Sequence, residues 1–451
     1  MAKILIVIEI PSREYDNALL LSAILKRKHQ VKIVSKTCGV SLFFKPDFLI
    51  IPNCYNTENL DWYQKVFNAS GAFILNLQYE QILNKKKERA GRHIPTGSAK
   101  RAYHLCWGEY SKRRLLNAGI DQDHLPITGA LQLDLMRESF LPYWKTRQEI
   151  AEEYDLRADS KWLLYISGFV YPQNEALLGI QRRAGKDVSA QAVLQAQSRT
   201  KMTEWFRKLL DDNPHISVIY RPHPLEWNTE EIRELVKEYP KQFYVIDSLS
   251  IRQWITVSDL IITWRSTSVL ECAAAGKPFL VARPDKVDPE EDAIIYEGIP
   301  AIENGADFVD SIRAALDNQN TGHLIRSLHY HEFVEIEDCP SCMRISNVID
   351  SILNNPDSIR SRQISLLKRA GFLIRKGIII KVAAKHLYKM IYKKKAFRIK
   401  SERLRARYAV DDWERECEAE LHEKPLRERM IVLESAIEGK LNDNSRRMLA
   451  E

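Results

Sequence analysis

Short apolar runs rich in β-branched residues recur along this chain, each closed by a polar loop, and apolar positions return at helical spacing between them. Lys3–Glu9 predicts a buried strand, Pro11–Asp16 a polar loop, and the leucines and isoleucine of Asn17–Lys28 a helix. Strands are predicted next at Val31–Ser35, Asp47–Pro52, Ala72–Leu77, Tyr103–Gly108 and Leu125–Gly129, with helices over Asn59–Asn68 and Tyr110–Ala118. The alternation resumes after a charged connection: strands at Lys161–Gly168, His215–Tyr220, Phe243–Asp247, Asp259–Thr263 and Pro278–Arg283 are separated by helices at Met202–Asn213, Glu230–Tyr239, Ser250–Ser258 and Val269–Gly276. Phe169–Thr200 is long and polar, with little periodicity until about Ala190, which predicts a long loop at the mouth of a cleft. Ile345–Asn354 predicts a closing helix.

Strand and helix alternating in this way imply parallel sheets covered by helices on both faces. The fold class is therefore α/β, with two Rossmann-like doubly wound domains facing a cleft and a helical basic extension. The domains are expected at 1–140 and 141–355, with the extension at 356–451. The opening βαβ pattern lacks G-x-G-x-x-G, which argues against dinucleotide binding at its first turn.

Composition changes this picture at one end only. The 451 residues carry a net charge of +7, but Arg360–Tyr408 holds 17 Lys and Arg against the single acid Glu402. That segment carries +16 and the rest of the chain −9. Leucine, isoleucine, phenylalanine and tyrosine interleave with the basic residues at helical spacing, which fits an amphipathic segment on an anionic membrane surface. No RNA- or DNA-binding motif accompanies the charge, so nucleic acid is not an expected partner. No apolar run reaches the roughly 18–20 residues of a membrane-spanning helix, and the first residues lack the features of a secretory signal. A cytoplasmic protein, peripheral on the inner face of the cytoplasmic membrane, is expected. Seven cysteines without regular spacing fit free thiols in a reducing compartment, Cys339-Pro-Ser-Cys342 included.

The chemistry concentrates where polar patches follow apolar strands. Tyr220-Arg-Pro-His-Pro224 and Trp264-Arg-Ser-Thr-Ser268 both stand at predicted carboxyl ends of parallel strands, where open α/β sheets bind ligands. Prolines on both sides restrict the backbone around His223. Ser266, Thr267 and Ser268 precede a helix whose hydroxyl-capped first turn suits a phosphate. Arg221 and Arg265 add positive charge. In the first domain, Glu9, Arg13, Glu14 and Asp16 follow the first strand and Glu80 follows the fourth; Gly129, at a strand end, permits close approach of a ligand.

These patches, together with Glu271 and Gly276-Lys-Pro278, resemble the carboxyl-terminal domain of GT-B glycosyltransferases of bacterial surface-polysaccharide (capsule and lipopolysaccharide) biosynthesis. The segments Ile6–Asp16 and Trp107–Gly129 resemble the same group, so the likeness spans roughly residues 1–355. In its CMP-sugar members, Kdo transferases among them, an HP motif and a serine motif hold the nucleotide donor; CDP-glycerol glycerophosphotransferases carry a similar pair.

The resemblance implies a metal-independent transferase without a cofactor, moving Kdo or a related acid sugar from CMP to a lipid-linked or growing surface glycan. The alternative is a CDP-glycerol-type glycerophosphotransferase; weaker ones are a nucleotide-sugar epimerase and a non-catalytic nucleotide-binding membrane adaptor. On this reading His223 is catalytic, and Arg221, Pro224, Arg265, Ser266, Thr267, Ser268, Glu271 and Ser341 bind the donor. Glu80 is the first choice of base, with Glu9, Arg13, Glu14, Asp16 and Gly129 on the acceptor side. Near Ser341 the chain departs from the family pattern: Cys339-Pro-Ser-Cys-Met-Arg-Ile345 stands where a glycine and paired small residues precede Arg-Ile.

Overall fold

Six residues of near-continuous apolar character, Lys3–Ile8, form the first strand, β1, buried along all but its first position. The computed structural model describes residues 1–36, 44–226, 229–317, 330–335, 339–355 and 429–437. The basic segment 360–408 lies outside the described residues. The chain separates into unit 1 (Met1–Gln81, His93–Leu135 and His331–Glu451) and unit 2 (Ile82–Arg92 and Met136–Tyr330).

In unit 1, β1 is joined by β2 (Gln30–Ser35), β3 (Phe48–Ile51), β4 (Phe73–Asn76) and β5 (Tyr103–His104). The sheet runs β2-β1-β3-β4-β5, and every pair is parallel. The order reverses between β1 and β3, which opens a crevice at their carboxyl ends. Leu5, Val7, Leu49, Tyr63 and Phe67 form one face of the core. Leu125–Gly129 makes only an isolated bridge, Ile127 to Cys106, where a strand was expected.

The polar stretch after β1 is helical, contrary to the loop its composition predicts. The helix starts at Pro11 and runs to Leu25. Proline fits the first helical position, where no N–H is needed, and Glu14 places an acid in the first turn. Tyr15, buried, anchors that turn.

Unit 2 contains β6 (Lys161–Ile166), β7 (Ile216–Arg221), β8 (Phe243–Val245), β9 (Leu260–Thr263), β10 (Phe279–Ala282) and β11 (Ala301–Ile302). Their order is β11-β10-β9-β6-β7-β8, all parallel, so this sheet reverses between β6 and β9. Phe206, Leu209, Tyr220, Leu235 and Phe308 share its main core.

Phe169–Thr200 also departs from expectation, since it contains the helix Glu175–Arg183 and the first half of Ser189–Asp212. Its inward positions are polar, which hides the period. Gln195 Oε1 accepts from Tyr171 N at 2.9 Å, Ser198 donates to Asp285 at 3.0 Å, and buried Arg199 pairs with Glu231 at 3.0 Å.

The chain returns to unit 1 at His331. The helix Ser341–Asn354, expected to close the second domain, packs in unit 1 against the helices Pro11–Leu25 and Leu131–Asp134. Residues 429–437 are helical and also belong to unit 1: Arg429 pairs with Asp16 at 3.2 Å and lies over the Tyr15 ring, while Leu433 is fully buried. No helix among the described residues is long and apolar enough to cross a membrane.

Candidate functional site

In unit 2 three neighbouring strands end level. Ile166 of β6 is in register with Arg221 of β7 on one side and Thr263 of β9 on the other. Their exits, Ser167-Gly168, Pro222-His223 and Trp264-Arg265-Ser266, therefore emerge side by side at the reversal of strand order. Ser167 N donates to Arg221 O at 3.0 Å, and Thr263 Oγ1 donates to Ile166 O at 3.3 Å, tying the exits together.

His223 occupies the middle of a tight turn. Glu226 N donates to His223 O at 2.7 Å, and the Glu226 carboxylate accepts from His223 N at 3.2 Å. The same carboxylate meets the Tyr220 hydroxyl, which also reaches Ser167 Oγ at 2.9 Å. Burial pushes the Glu226 carboxyl above its usual range. Its anchoring role was missed in the sequence; the only signal was an acid three residues after the histidine.

The ring's protonation follows from one contact. Leu225 N–H donates to His223 Nδ1 at 3.1 Å, so Nδ1 is an acceptor and the proton of the neutral ring sits on Nε2. Desolvation holds the imidazole below its ordinary pKa, which favours that neutral form near pH 7. Although protein surrounds much of the ring, the residue is exposed, and Nε2 has no hydrogen-bond partner among the described residues. It is a directed N–H donor.

The serine segment turns on its own hydroxyls. Ser266 N donates to Thr263 Oγ1 at 3.0 Å and Ser268 N to Ser266 Oγ at 3.2 Å before the helix Val269–Ala274 begins. Thr267 is exposed and Ser266 and Ser268 are half-buried. Glu271, half-buried, stands in the first turn of that helix.

Both arginines are engaged with protein. The Arg221 guanidinium donates to the carbonyls of Ile246, Ser248 and Leu249, fastening the loop after β8. The Arg265 guanidinium donates to Glu291 O, lies 3.7 Å from Asp292 and covers the Trp264 ring. Pro224 is exposed in the His223 turn.

Ser341 lies in unit 1. Asp134 Oδ1 accepts from Ser341 N at 2.8 Å and Oδ2 from Cys342 N at 2.7 Å, so one buried carboxylate caps the helix Ser341–Asn354. Gly129 adopts φ +75°, and a Cβ there would lie 2.6 Å from both Ser341 Oγ and an Arg344 nitrogen. What comes close to Gly129 is the protein's own returning segment.

The remaining acids gather near the carboxyl ends of β1 and β3. Glu9 bridges that reversal point: its carboxylate accepts from Lys36 at 2.6 Å and from Asn53 at 2.5 Å, while Glu9 N donates to Glu14 Oε2 at 2.6 Å. Glu80 pairs with Arg13 at 3.2 Å and faces His93 Nε2 at 3.4 Å; Arg13 also donates to Tyr79 O at 2.7 Å. Asn53, Lys36 and His93 were not singled out in the sequence, because each stands alone in a loop or at a strand end.

Glu14 is 3% exposed, and desolvation raises its pKa to about 7. The folded protein thus holds this proton more tightly than the unfolded chain. The destabilisation is absent below about pH 4.5, grows as pH rises to about 7, and reaches about 3 kcal/mol above that. Glu14→Gln, which can still accept from Glu9 N, is expected to melt above the parent at pH 8 and level with it at pH 4.5. Calorimetry across that range checks this; a difference independent of pH would refute the buried-proton account.

No protein-family model matches the sequence, and no curated protein sequence matches it. Solved structures do match. The putative UDP-N-acetylglucosamine 2-epimerase of Listeria monocytogenes aligns over 78% of this chain and 97% of its own at 13% identity, TM-score 0.52. A variant of the wall teichoic acid polymerase TagF, solved with CDPG, aligns over 78% and 88% at 12% identity, TM-score 0.52. The chain has the GT-B fold. Within GT-B topology the histidine and serine loops occupy the reversal point of the second sheet, and the Glu9 cluster that of the first.

Proposed function

We propose that this GT-B protein is a transferase that cleaves an activated group from a cytidine-nucleotide donor and passes it to a lipid-linked or growing bacterial surface glycan. The favoured donor is CMP-linked Kdo or a related acid sugar. One observation carries the reading: a neutral His223, whose Nε2–H meets no partner among the described residues, stands at the same end of the sheet as the Ser266–Ser268 loop.

As the bond to the nucleotide breaks, negative charge gathers on the departing phosphate. A fixed N–H donor stabilises that charge most when it needs no reorganisation. His223 Nε2 and the serine hydroxyls are assigned this role, and Glu271 the ribose hydroxyls. Arg221 and Glu226 position the loops. The acceptor hydroxyl needs a base, which we assign to unit 1. Glu80, exposed beside Arg13 and His93, is assigned the base; Glu14, buried and accepting from Glu9 N, supports the turn that holds Arg13. The basic segment 360–408 is proposed to keep the enzyme at an anionic membrane surface, beside a lipid-linked acceptor.

A CDP-glycerol-type glycerophosphotransferase is the second reading. The His-Pro and serine pair serves it equally, and the fold is shared with TagF, which was solved with CDPG. Offering the purified protein CMP-Kdo, CDP-glycerol and UDP-N-acetylglucosamine, with acceptor extracts, separates the readings. Release of CMP from one cytidine donor, undiminished by EDTA, is the expected result. Absence of both nucleotide release and thermal stabilisation by any donor would overturn the transferase, and a requirement for added divalent metal would overturn the metal-independent mechanism.

A further inference from the structure

The turn that carries His223 is gripped by a residue of unit 2 that lies far from it in sequence. Asn174 is 4% exposed and caps the helix Glu175–Arg183, its Oδ1 accepting from Leu177 N at 3.0 Å. Its Nδ2 donates to Leu225 O at 2.8 Å and to Val170 O at 3.2 Å. Both ends of the amide are thereby used, and one orientation alone satisfies them, because the helix start needs an acceptor and the two carbonyls need donors. The preceding Gln173 adopts φ +58°, a left-handed backbone that a residue with a side chain takes up when its surroundings hold it there. Asn174 N closes that turn by donating to Tyr171 O at 3.0 Å, and Tyr171 N donates to Gln195.

What Asn174 holds is one edge of a planar peptide. Leu225 O and Glu226 N belong to the same peptide group, and Glu226 N donates to His223 O at 2.7 Å. The plane is thus clamped at both edges, by Asn174 and by the turn itself. On its other side, Leu225 N donates to His223 Nδ1 at 3.1 Å and fixes the tautomer. Leu225 is 46% exposed, so burial of its side chain is a weak anchor. The Glu226 carboxylate grips the histidine's own N–H, whereas Asn174 grips the residue that aims its ring.

We propose that Asn174 is a positioning residue for His223: through Leu225 it keeps Nδ1 occupied and the donor proton on Nε2. Calling the held group catalytic rests on the transferase reading; the hold on its tautomer does not. Capping alone does not account for Asn174, since serine and aspartate cap a helix equally well and lack its amide nitrogen. The same segment also reaches the serine loop, because Gln191 donates to the Glu291 carboxylate and Glu291 O accepts from Arg265.

Asn174→Ser keeps a cap and removes the donor to Leu225 O, so it separates the two roles. The full chain, isotope-labelled at its histidine nitrogens, is examined by NMR at pH 8, with the His223 resonances identified by their loss in His223→Gln. The parent shows a single Nε2–H tautomer, and Asn174→Ser adds the Nδ1–H form while its circular dichroism is unchanged. Nucleotide release falls by about 10- to 100-fold through kcat and not through KM. Added to His223→Ala, the same substitution slows release no further. Asn174→Asp, which caps but cannot donate when ionised, gives the same tautomer change and replaces the serine variant should that one unfold. A folded variant that retains one tautomer, or an equal fall in rate when Asn174→Ser is added to His223→Ala, overturns the proposal. If the tautomer responds while no donor releases nucleotide, the transferase reading fails and the hold of Asn174 on His223 stands.

Discussion

Replacing His223 with alanine is expected to slow nucleotide release by about 100- to 1000-fold, the usual effect of deleting one fixed donor to a developing anion. The structure makes the test sharper than a single deletion. Because Leu225 N–H occupies Nδ1, only Nε2 is available to the donor phosphate. Glutamine places its amide nitrogen near the Nε2 position and asparagine near Nδ1. His223→Gln should therefore recover part of the rate and His223→Asn none, with both proteins folded. Equal loss in the two variants would mean that the ring acts through its shape or through Nδ1, and full activity in His223→Ala would move the chemistry away from this loop. Steady-state release assays with the donor identified above are sufficient.

The second large effect concerns stability. Gly129→Ala is expected to cost about 3 kcal/mol, a fall in Tm on the order of 10 °C. Two penalties add: a left-handed backbone at φ +75°, and a methyl group 2.6 Å from Ser341 Oγ and Arg344 and 2.9 Å from Glu335 O. The side chains can shift, but the carbonyl belongs to backbone whose neighbour, Glu335 N, is bonded to Trp107 O at 2.7 Å. Asp134→Ala should give a comparable loss, since it leaves two buried N–H groups of the helix start unmet. Thermal unfolding with unit 1 monitored through a site-specific probe would check both; an unchanged Tm in Gly129→Ala would refute the steric account.

How much of this was legible in the sequence depended on where each signal is stored. The strands were visible because both faces of a parallel sheet are buried, so β1, β6, β7 and β9 appear as unbroken apolar runs. The His223 and Ser266–Ser268 loops were visible for the same reason, as polar interruptions at the ends of those runs. Helices whose inner face is polar were not visible: Gln195, Ser198 and Arg199 face inward in a stretch that composition assigns to a loop. The helix start at Pro11 was hidden because its first turn mixes charged residues with buried Tyr15.

Side-chain roles were the least legible. Arg221, Arg265 and Glu80 share a charge type with ligand-binding residues, yet each is engaged by a carbonyl or counter-ion distant in sequence. Glu14 and Glu9 could not be ranked until one was seen buried and the other fixed between Lys36 and Asn53. Ser341 was assigned to the donor by its neighbours in sequence, whereas its neighbour in space is Asp134.

The return of the chain to unit 1 at His331 has a consequence for synthesis. The helix Pro11–Leu25 emerges from the ribosome early, but the helix that covers it, Ser341–Asn354, emerges more than three hundred residues later. Throughout that interval residues 136–330 can complete their own sheet, while the first sheet waits with an apolar helix face uncovered. Nascent chains of this protein should therefore acquire protease resistance in the later-made unit first, and the earlier-made unit should be the one that engages chaperones.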